Sequence, residues 1–406
     1  MRARNSSLVL KLMWRSREIS RADIARQTGL SRSTVSAIVN DLMETGLLEL
    51  RGAGSSRGGR KPILIGFEDD AYHLVGVDVG ATHIGVAITD LRGQVKAWEH
   101  TAWEVREDPV GALEMMAGLI EQRLDALDTD ASRVVGIGVG LPSPIEAERP
   151  NQMSPLIHPK WAGIDIAQEL QRTFALPVLV ENDANLGALA ERWWGAGRGG
   201  GDLAYIKIAT GVGAGYIIND AIYRGAGGFA GEIGHTTISA RDTLSARDAD
   251  DLKGLRPATL NDLVGGPALV QRAIDLRDEH PTSLLAHKPV TIQAVIDATL
   301  AGDPIGRRIM DEAGTYLGIA VANLLNLLNP SMVVLGGALS RAGDMLLHPL
   351  RQAIRERTLW ASIAGSKLVV SDLGERAIAV GAATSVLQAA LDDHDLFPPL
   401  RADKAS

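Results

Sequence analysis

Between Ser7 and Trp14 the apolar side chains Leu8, Val9, Leu12 and Met13 recur at helical spacing, which predicts an opening helix with one buried face. Ser20 then precedes Arg21-Ala22-Asp23, an N-cap hydroxyl followed by a first-turn acid, and so predicts a second helix over 21–28. Gly29 ends it. Ser31 caps a third helix that runs to about Thr45 with Val35, Ile38, Val39 and Leu42 on its inner face. Two capped helices across a glycine turn read as a helix-turn-helix. Leu47 to Leu50 predicts a strand, and the Gly-, Ser- and Arg-rich stretch from Arg51 to Pro62 reads as a basic wing beside it, with a plain linker as the alternative.

Beyond Pro62 short apolar strands alternate with longer helical segments, the pattern of an α/β body. Strands are predicted over 74–78, 84–89, 94–101, 134–139 and 177–180, with helices over 110–127 and 164–174. The opening unit, Val75 to Asp90, recurs as Tyr205 to Asp220, each time as strand, glycine turn, strand. Such turns present backbone N–H groups that can hold phosphate. The run Gly211-x-Gly213-x-Gly215 leads into a strand and is therefore a poor dinucleotide fingerprint. Further on come a long helix over 304–328, a strand over 332–335, and a bare Gly336-Gly337 turn where a flat ligand could approach. A helix over 344–357, a strand over 367–371 and a helix over 377–390 follow, and 392–406 reads as a polar, proline-broken tail.

Composition narrows the class. The 406 residues are 46% hydrophobic and 22% charged, which fits two or three globular units. No apolar run is long enough to cross a bilayer and the basic N-terminus leads into an amphipathic pattern, so a cytoplasmic protein without a membrane partner is expected. The absence of cysteine excludes disulfides, thiolate catalysis and thiolate zinc sites. Charge is divided unevenly: residues 1–62 hold twelve Lys or Arg against five Asp or Glu, whereas the remainder holds 29 against 44. A basic head on an acidic body suggests that the head meets nucleic acid. Arg32, Ser33, Thr34, Ser36 and Asn40 on the outer face of the third helix have the hydrogen-bonding chemistry to read base edges, and Arg57, Arg60 and Lys61 would meet phosphates or the minor groove. One such head binds weakly, so a dimer is expected on a double-stranded operator.

The candidate chemistry of the body centres on Glu181-Asn182-Asp183-Ala184-Asn185, just past the apolar run Leu176 to Val180. An acid in that place can take a proton from a bound hydroxyl or hydrogen-bond it. Its alternative role is to cap a helix starting near Asn185. Glu232 lies between Gly231 and Gly234, and flanking glycines suit a backbone that approaches a ligand closely; His235 reads equally as a packing histidine.

Taken together, Asp78-x-Gly80-x-Thr82, Glu181-Asn182-Asp183-Ala184-Asn185, Thr210-Gly211-Val212-Gly213, Gly231-Glu232-Ile233-Gly234-His235 and Leu335-Gly336-Gly337 resemble the ROK family of sugar kinases and sugar-responsive transcriptional regulators. The resemblance spans almost the whole chain, and the helix-turn-helix head resembles that of the regulators. It implies a winged helix-turn-helix over 1–68, then a two-lobed actin-like (ribonuclease H-like) sugar kinase fold. Its first lobe would cover 69–183, joined by the helix 377–390, and its second lobe 184–376, with the ligand cleft and the dimerisation surface. It further implies that Asn182, Asp183, Glu232 and His235 bond sugar hydroxyls, with Asp183 as the base if the protein is a kinase. Asp78, Gly80, Thr82, Thr210, Gly211 and Gly213 would surround phosphates and magnesium, and Gly336 and Gly337 would border adenine.

This chain departs from the family pattern where many members carry a zinc-binding cysteine cluster and a Cys-Leu-Glu whose carboxylate holds sugar. Here the region is charged and lacks cysteine, and Thr259-Leu260-Asn261 stands in that place, so Asn261 would bond a hydroxyl with less strength than a carboxylate. Ser143 replaces a more usual glycine in Pro142-Ser143-Pro144, and Ile157 stands near the place of a sugar-contacting asparagine. The expectation is a carbohydrate-gene repressor, homodimeric or a dimer of dimers, released by a monosaccharide or derivative. It requires no cofactor, with ATP and magnesium left open and structural zinc not expected; the alternative is an active ATP-dependent sugar kinase that also binds DNA.

Overall fold

The computed structural model describes residues 2–53, 61–239, 258–287, 289–359 and 364–398. By internal contacts the chain divides into two units, one of Met1–Ser143, Arg149–Glu181 and Ile378–Ser406, the other of Pro144–Glu148 and Asn182–Ala377. No helix among the described residues is long and apolar enough to cross a membrane.

The first unit opens with α1 (Arg2–Ser16), β1 (Glu18–Ser20), α2 (Arg21–Thr28), α3 (Arg32–Glu44), β2 (Leu48–Ala53) and β3 (Ile63–Phe67). Each predicted cap is in place: Ser20 Oγ accepts from the Asp23 amide at 3.2 Å and Ser31 Oγ from the Thr34 amide at 3.1 Å. Gly29 adopts a left-handed conformation, φ 71°, and closes α2 by donating to Ala25 O. Val9, Leu10, Met13, Ile24, Val35, Ile38, Val39 and Leu42 are buried together with Leu47, Ile65 and Phe67. The periodicity does not predict β3 or β1. β3 pairs antiparallel with both β2 and β1, so the head is a three-stranded winged helix; most of the stretch read as a wing or linker, residues 54–60, lies outside the described residues. Strand pairing across long sequence separations leaves no local signature in a five-residue run.

The head is fastened to the rest of its unit through the turn that follows the hairpin of β4 (His73–Val79) and β5 (His83–Thr89). Trp14 Nε1 donates to Leu91 O at 2.9 Å, and Arg92 donates to Trp14 O at 2.7 Å while its guanidinium lies 4.7 Å from the Trp14 ring centroid and 5.4 Å from that of Phe67. With β6 (Val95–Ala102), α4 (Pro109–Ala126), β7 (Val134–Leu141), α5 (Ile166–Phe174) and β8 (Val178–Asn182) the unit completes a five-stranded sheet of order β6-β5-β4-β7-β8. β4 pairs antiparallel with β5 and parallel with β7.

The second unit contains α6 (Asp183–Trp193), β9 (Leu203–Ile208), β10 (Val212–Ile218), β11 (Ala221–Ile222), β12 (Thr237–Ser239), β13 (Ala258–Thr259), α7 (Leu260–Val264), α8 (Gly266–Asp275), α9 (Ile292–Leu300), α10 (Pro304–Leu328), β14 (Met332–Gly336), α11 (Asp344–Arg357) and β15 (Lys367–Val370). Its sheet has the order β11-β10-β9-β14-β15, again an antiparallel hairpin beside parallel strands. The repeat between Val75–Asp90 and Tyr205–Asp220 is thus a repeat of hairpins, β4-β5 and β9-β10. Buried side chains of α8, α9, α10 and α11 cover one face, including Leu269, Ile296, Leu317 and Leu350.

The last helix, α12 (Ala377–Asp392), returns to the first unit. It lies so close to β4 and β7 that a Cβ on Gly76 would stand 1.8 Å from Ala379 O and one on Gly138 2.0 Å from Ala382 O. Among the described residues beyond it, up to 398, the chain departs from the polar tail that composition suggests, because Phe397 is 3% exposed and its ring lies 5.3 Å from that of Tyr72. Burial pushes the Tyr72 hydroxyl up to about 12, and that hydroxyl is within hydrogen-bond distance of both Thr45 O and Pro398 O. Ser7 Oγ donates to Leu391 O at 3.0 Å, and Lys11 pairs with Asp392, so α1 rests on the end of α12.

Candidate functional site

Asn182, not Asp183, caps α6: its side-chain oxygen accepts from the amides of Ala184 at 3.0 Å and Asn185 at 3.1 Å. The helix therefore starts two residues earlier than the pattern indicates and places Asp183 in its first turn, where the helix dipole favours a carboxylate. Asp183 Oδ2 accepts from Lys207 Nζ at 2.6 Å, with the two side chains 9% and 12% exposed. No sequence motif assigns Lys207 a role. The signal available is a single cation inside the apolar strand Leu203-Ala204-Tyr205-Ile206-Lys207-Ile208.

Sheet register explains how the lysine reaches this position. Lys207 is opposite Gly213 on β10 and Gly336 on β14, so neither neighbouring strand places a side chain beside it. On the same strand face Tyr205 packs under α6, where a Cβ on Gly187 would meet its ring at 2.2 Å.

Glu232 and His235 come from the segment after β11. Glu232 Oε2 lies 3.8 Å from His235 Nε2, with the side chains 33% and 62% exposed. Burial raises the Glu232 carboxyl above its ordinary value; nearby His235 opposes that shift and Asp183 adds to it, which places Glu232 in the electrostatic neighbourhood of Asp183. The flanking glycines pack closely against β10. A Cβ on Gly231 would lie 1.9 Å from Ala214 O, and one on Gly234 would lie 2.3 Å from Val212 O.

Asn261, in the capped first turn of α7, accepts from the Val212 amide at 2.8 Å and so holds the start of β10. The predicted phosphate turn of this unit, Thr210-Gly211, joins β9 to β10 with the Ala209 amide bonded to Gly211 O at 2.9 Å. Gly337 follows β14 at φ 83°, pressed against Ile208 O.

In the first unit Asp78 is 2% exposed and its Oδ2 lies 3.3 Å from His83 Nε2. A Cβ on Gly80 would meet the His83 ring at 2.1 Å, so a larger residue there would displace that ring, and Thr82 at the hairpin tip is exposed. Ser143 accepts from the Ser154 amide at 2.9 Å and is 2% exposed, so its hydroxyl fastens the loop instead of facing solvent; Ile157 is 42% exposed.

On the head, Arg32, Ser33 and Asn40 are exposed and Thr34 and Ser36 half-buried. Ser33 and Thr34 share hydrogen bonds with the Ser31 hydroxyl at 2.9 and 2.8 Å, and Asn40 accepts from Arg21 at 2.7 Å. These bonds preset side chains on the outer face of α3. Lys61 is exposed; Arg57 and Arg60 lie outside the described residues.

Comparison with known proteins agrees with this architecture. Residues 74–389 match the ROK family and residues 5–60 the MarR family. The chain is 33% identical to the xylose repressor of Caldicellulosiruptor bescii over 388 residues, 94% of this chain and 95% of that protein. A crystal structure of a ROK family transcriptional regulator, homologous to the E. coli MLC protein, superposes with a TM-score of 0.78 at 24% identity, over 96% of this chain and 97% of that one. The ROK glucokinase of Streptomyces griseus, solved with glucose and AMPPNP, superposes with a TM-score of 0.64 at 26% identity over 78% of this chain and 99% of that one. With a family match that covers both sheets and a winged helix ahead of it, this chain belongs to the ROK family and carries a MarR-type DNA-binding fold at its N-terminus.

Proposed function

We propose that this protein is a sugar-responsive repressor. Its winged helix, residues 1–68, binds an operator, and a monosaccharide bound by the second unit releases it. The observation that carries this reading is the ion pair of Lys207 with Asp183. A general base must turn a free lone pair toward the hydroxyl that it deprotonates. Here one carboxylate oxygen is committed to an ammonium, and accepting a proton would cost that ion pair. The arrangement suits hydrogen bonding to a sugar better than phosphoryl transfer to it. Full-length similarity to a protein named xylose repressor supports the same reading and points to a pentose.

The effector is held by Asp183, Glu232 and His235, with Asn182 and Asn261 setting the backbone around them. Two carboxylates, Asp183 and Glu232, stand here against one ammonium, Lys207. That balance favours a neutral polyol over a sugar phosphate. ATP and magnesium are not needed, and homodimers present two heads to a two-fold operator.

The test is fluorescence anisotropy on a duplex selected by the protein from its own genome, titrated with xylose, glucose, N-acetylglucosamine and their phosphates. Release by a neutral sugar in the wild type and loss of that release in Asp183→Asn, with DNA affinity intact, is expected. An unchanged dose response in Asp183→Asn overturns the assignment of the site, and ATP-dependent formation of a sugar phosphate overturns the choice of repressor over kinase.

A further inference from the structure

A cavity lies within the second unit, between α10, α11, β14 and β15. It has a volume of about 150 Å³ and is lined by Val321, Leu325, Val333, Ile354 and Leu368, with Arg351, Arg355 and Ser366. Val321, Leu325, Val333 and Ile354 are buried, so the floor is apolar. An apolar cavity of this size accepts a benzene-sized molecule.

The polar groups are the informative part. Ser366 Oγ is shielded from solvent yet has no hydrogen-bond partner among the described residues. A shielded hydroxyl without a partner is uncommon, because it forfeits its bonds to water. Arg351 and Arg355 are one turn apart on α11 and both border the cavity. Arg351 has only a 3.6 Å contact with Asp344, whose side chain is 90% exposed, and Arg355 pairs with no carboxylate among the described residues. Two solvent-exposed arginines and a shielded hydroxyl thus border an apolar floor.

We propose that this cavity is a binding site for a small amphipathic carboxylate, an aromatic or short-chain monocarboxylic acid. The carboxylate spans Arg351, Arg355 and the Ser366 hydroxyl, and the hydrocarbon part fills the space over Leu325, Val333 and Leu368. Guanidinium groups match carboxylates in geometry as well as charge. The uncharged remainder of the ligand gains by leaving water. A neutral sugar lacks both features, so this site is distinct from the one at Asp183.

The test is calorimetric titration of the intact protein with benzoate and hexanoate, using benzamide as the uncharged isostere. Arg355→Gln and Ser366→Ala serve as variants, and circular dichroism confirms that each folds. Benzoate should bind saturably and benzamide at least about tenfold more weakly, the usual worth of a charge-assisted hydrogen bond. Arg355→Gln should remove most of that preference, and Ser366→Ala should weaken benzoate while leaving benzamide unchanged. Equal binding of benzoate and benzamide, a wild-type isotherm in Arg355→Gln, or no saturation up to about 10 mM overturns the proposal.

Discussion

Lys207 Nζ stands 2.6 Å from Asp183 Oδ2, and the pair is almost withdrawn from water at the first turn of α6. The relationship changes the meaning of a residue whose motif alone resembles that of a catalytic base. It also has an energetic consequence. Lys207→Met leaves the Asp183 carboxylate buried without its partner and should destabilise the protein by about 3 kcal/mol. Lys207→Met with Asp183→Asn should recover much of that loss, which a double-mutant cycle in urea measures.

Glu232 provides a pH signature. Burial raises its carboxyl above 4.5, so the folded state holds this proton more tightly than the unfolded chain. The contribution is present in full below the unfolded value and is lost as pH rises through the folded one. Urea unfolding from pH 4 upward should show the wild type losing stability relative to Glu232→Gln over the window just above 4.5. Parallel curves would show that Glu232 does not titrate differently on folding.

Gly231 is held at φ 101° with its α-carbon face against Ala214 O. Gly231→Ala combines backbone strain with a clash and should cost about 2 kcal/mol or more. Because the segment carries Glu232 and His235, sugar-induced release should weaken in the same variant at temperatures where it remains folded.

Arg92 lies over Trp14 and Phe67 and donates to Trp14 O and to Asp69. Removing it takes two cation–π contacts and two hydrogen bonds from the seam between the head and the turn after β5. Arg92→Ala should speed hydrogen exchange across 2–16 and 63–67 far more than in α10, with a loss of about 1–3 kcal/mol.

Arg57 and Arg60, expected from the sequence to belong to a basic wing, make a separate prediction. Arg57→Ala with Arg60→Ala should weaken DNA binding and flatten its salt dependence, by about 0.9 in logarithmic slope for each phosphate that is no longer neutralised. Anisotropy titrations from low to high salt measure the slope directly.

Local signals carry much of this protein. Ser20 and Ser31 with the apolar faces behind them predict α2 and α3 because capping and periodicity act within a few residues. The boundaries of α10 and α11 are legible for the same reason, and the five ROK motifs are contiguous strings. β1 and β3 are not legible, since they pair with each other across more than forty residues, Glu18 with Gly66 and Ser20 with Leu64. Phe397 falls in a stretch that reads as a polar tail, and only its ring contact with Tyr72 shows it to be core.

By itself the sequence determined the family, the order of the folded parts and the identity of Asp183 as the residue to question. Tertiary structure decided what Asp183 faces. The lysine that pairs with it comes from β9, 24 residues away, and reaches it because Gly213 and Gly336 leave the sheet bare on either side. Register between strands and packing of α6 create that pairing, and neither is written in any one stretch of the chain.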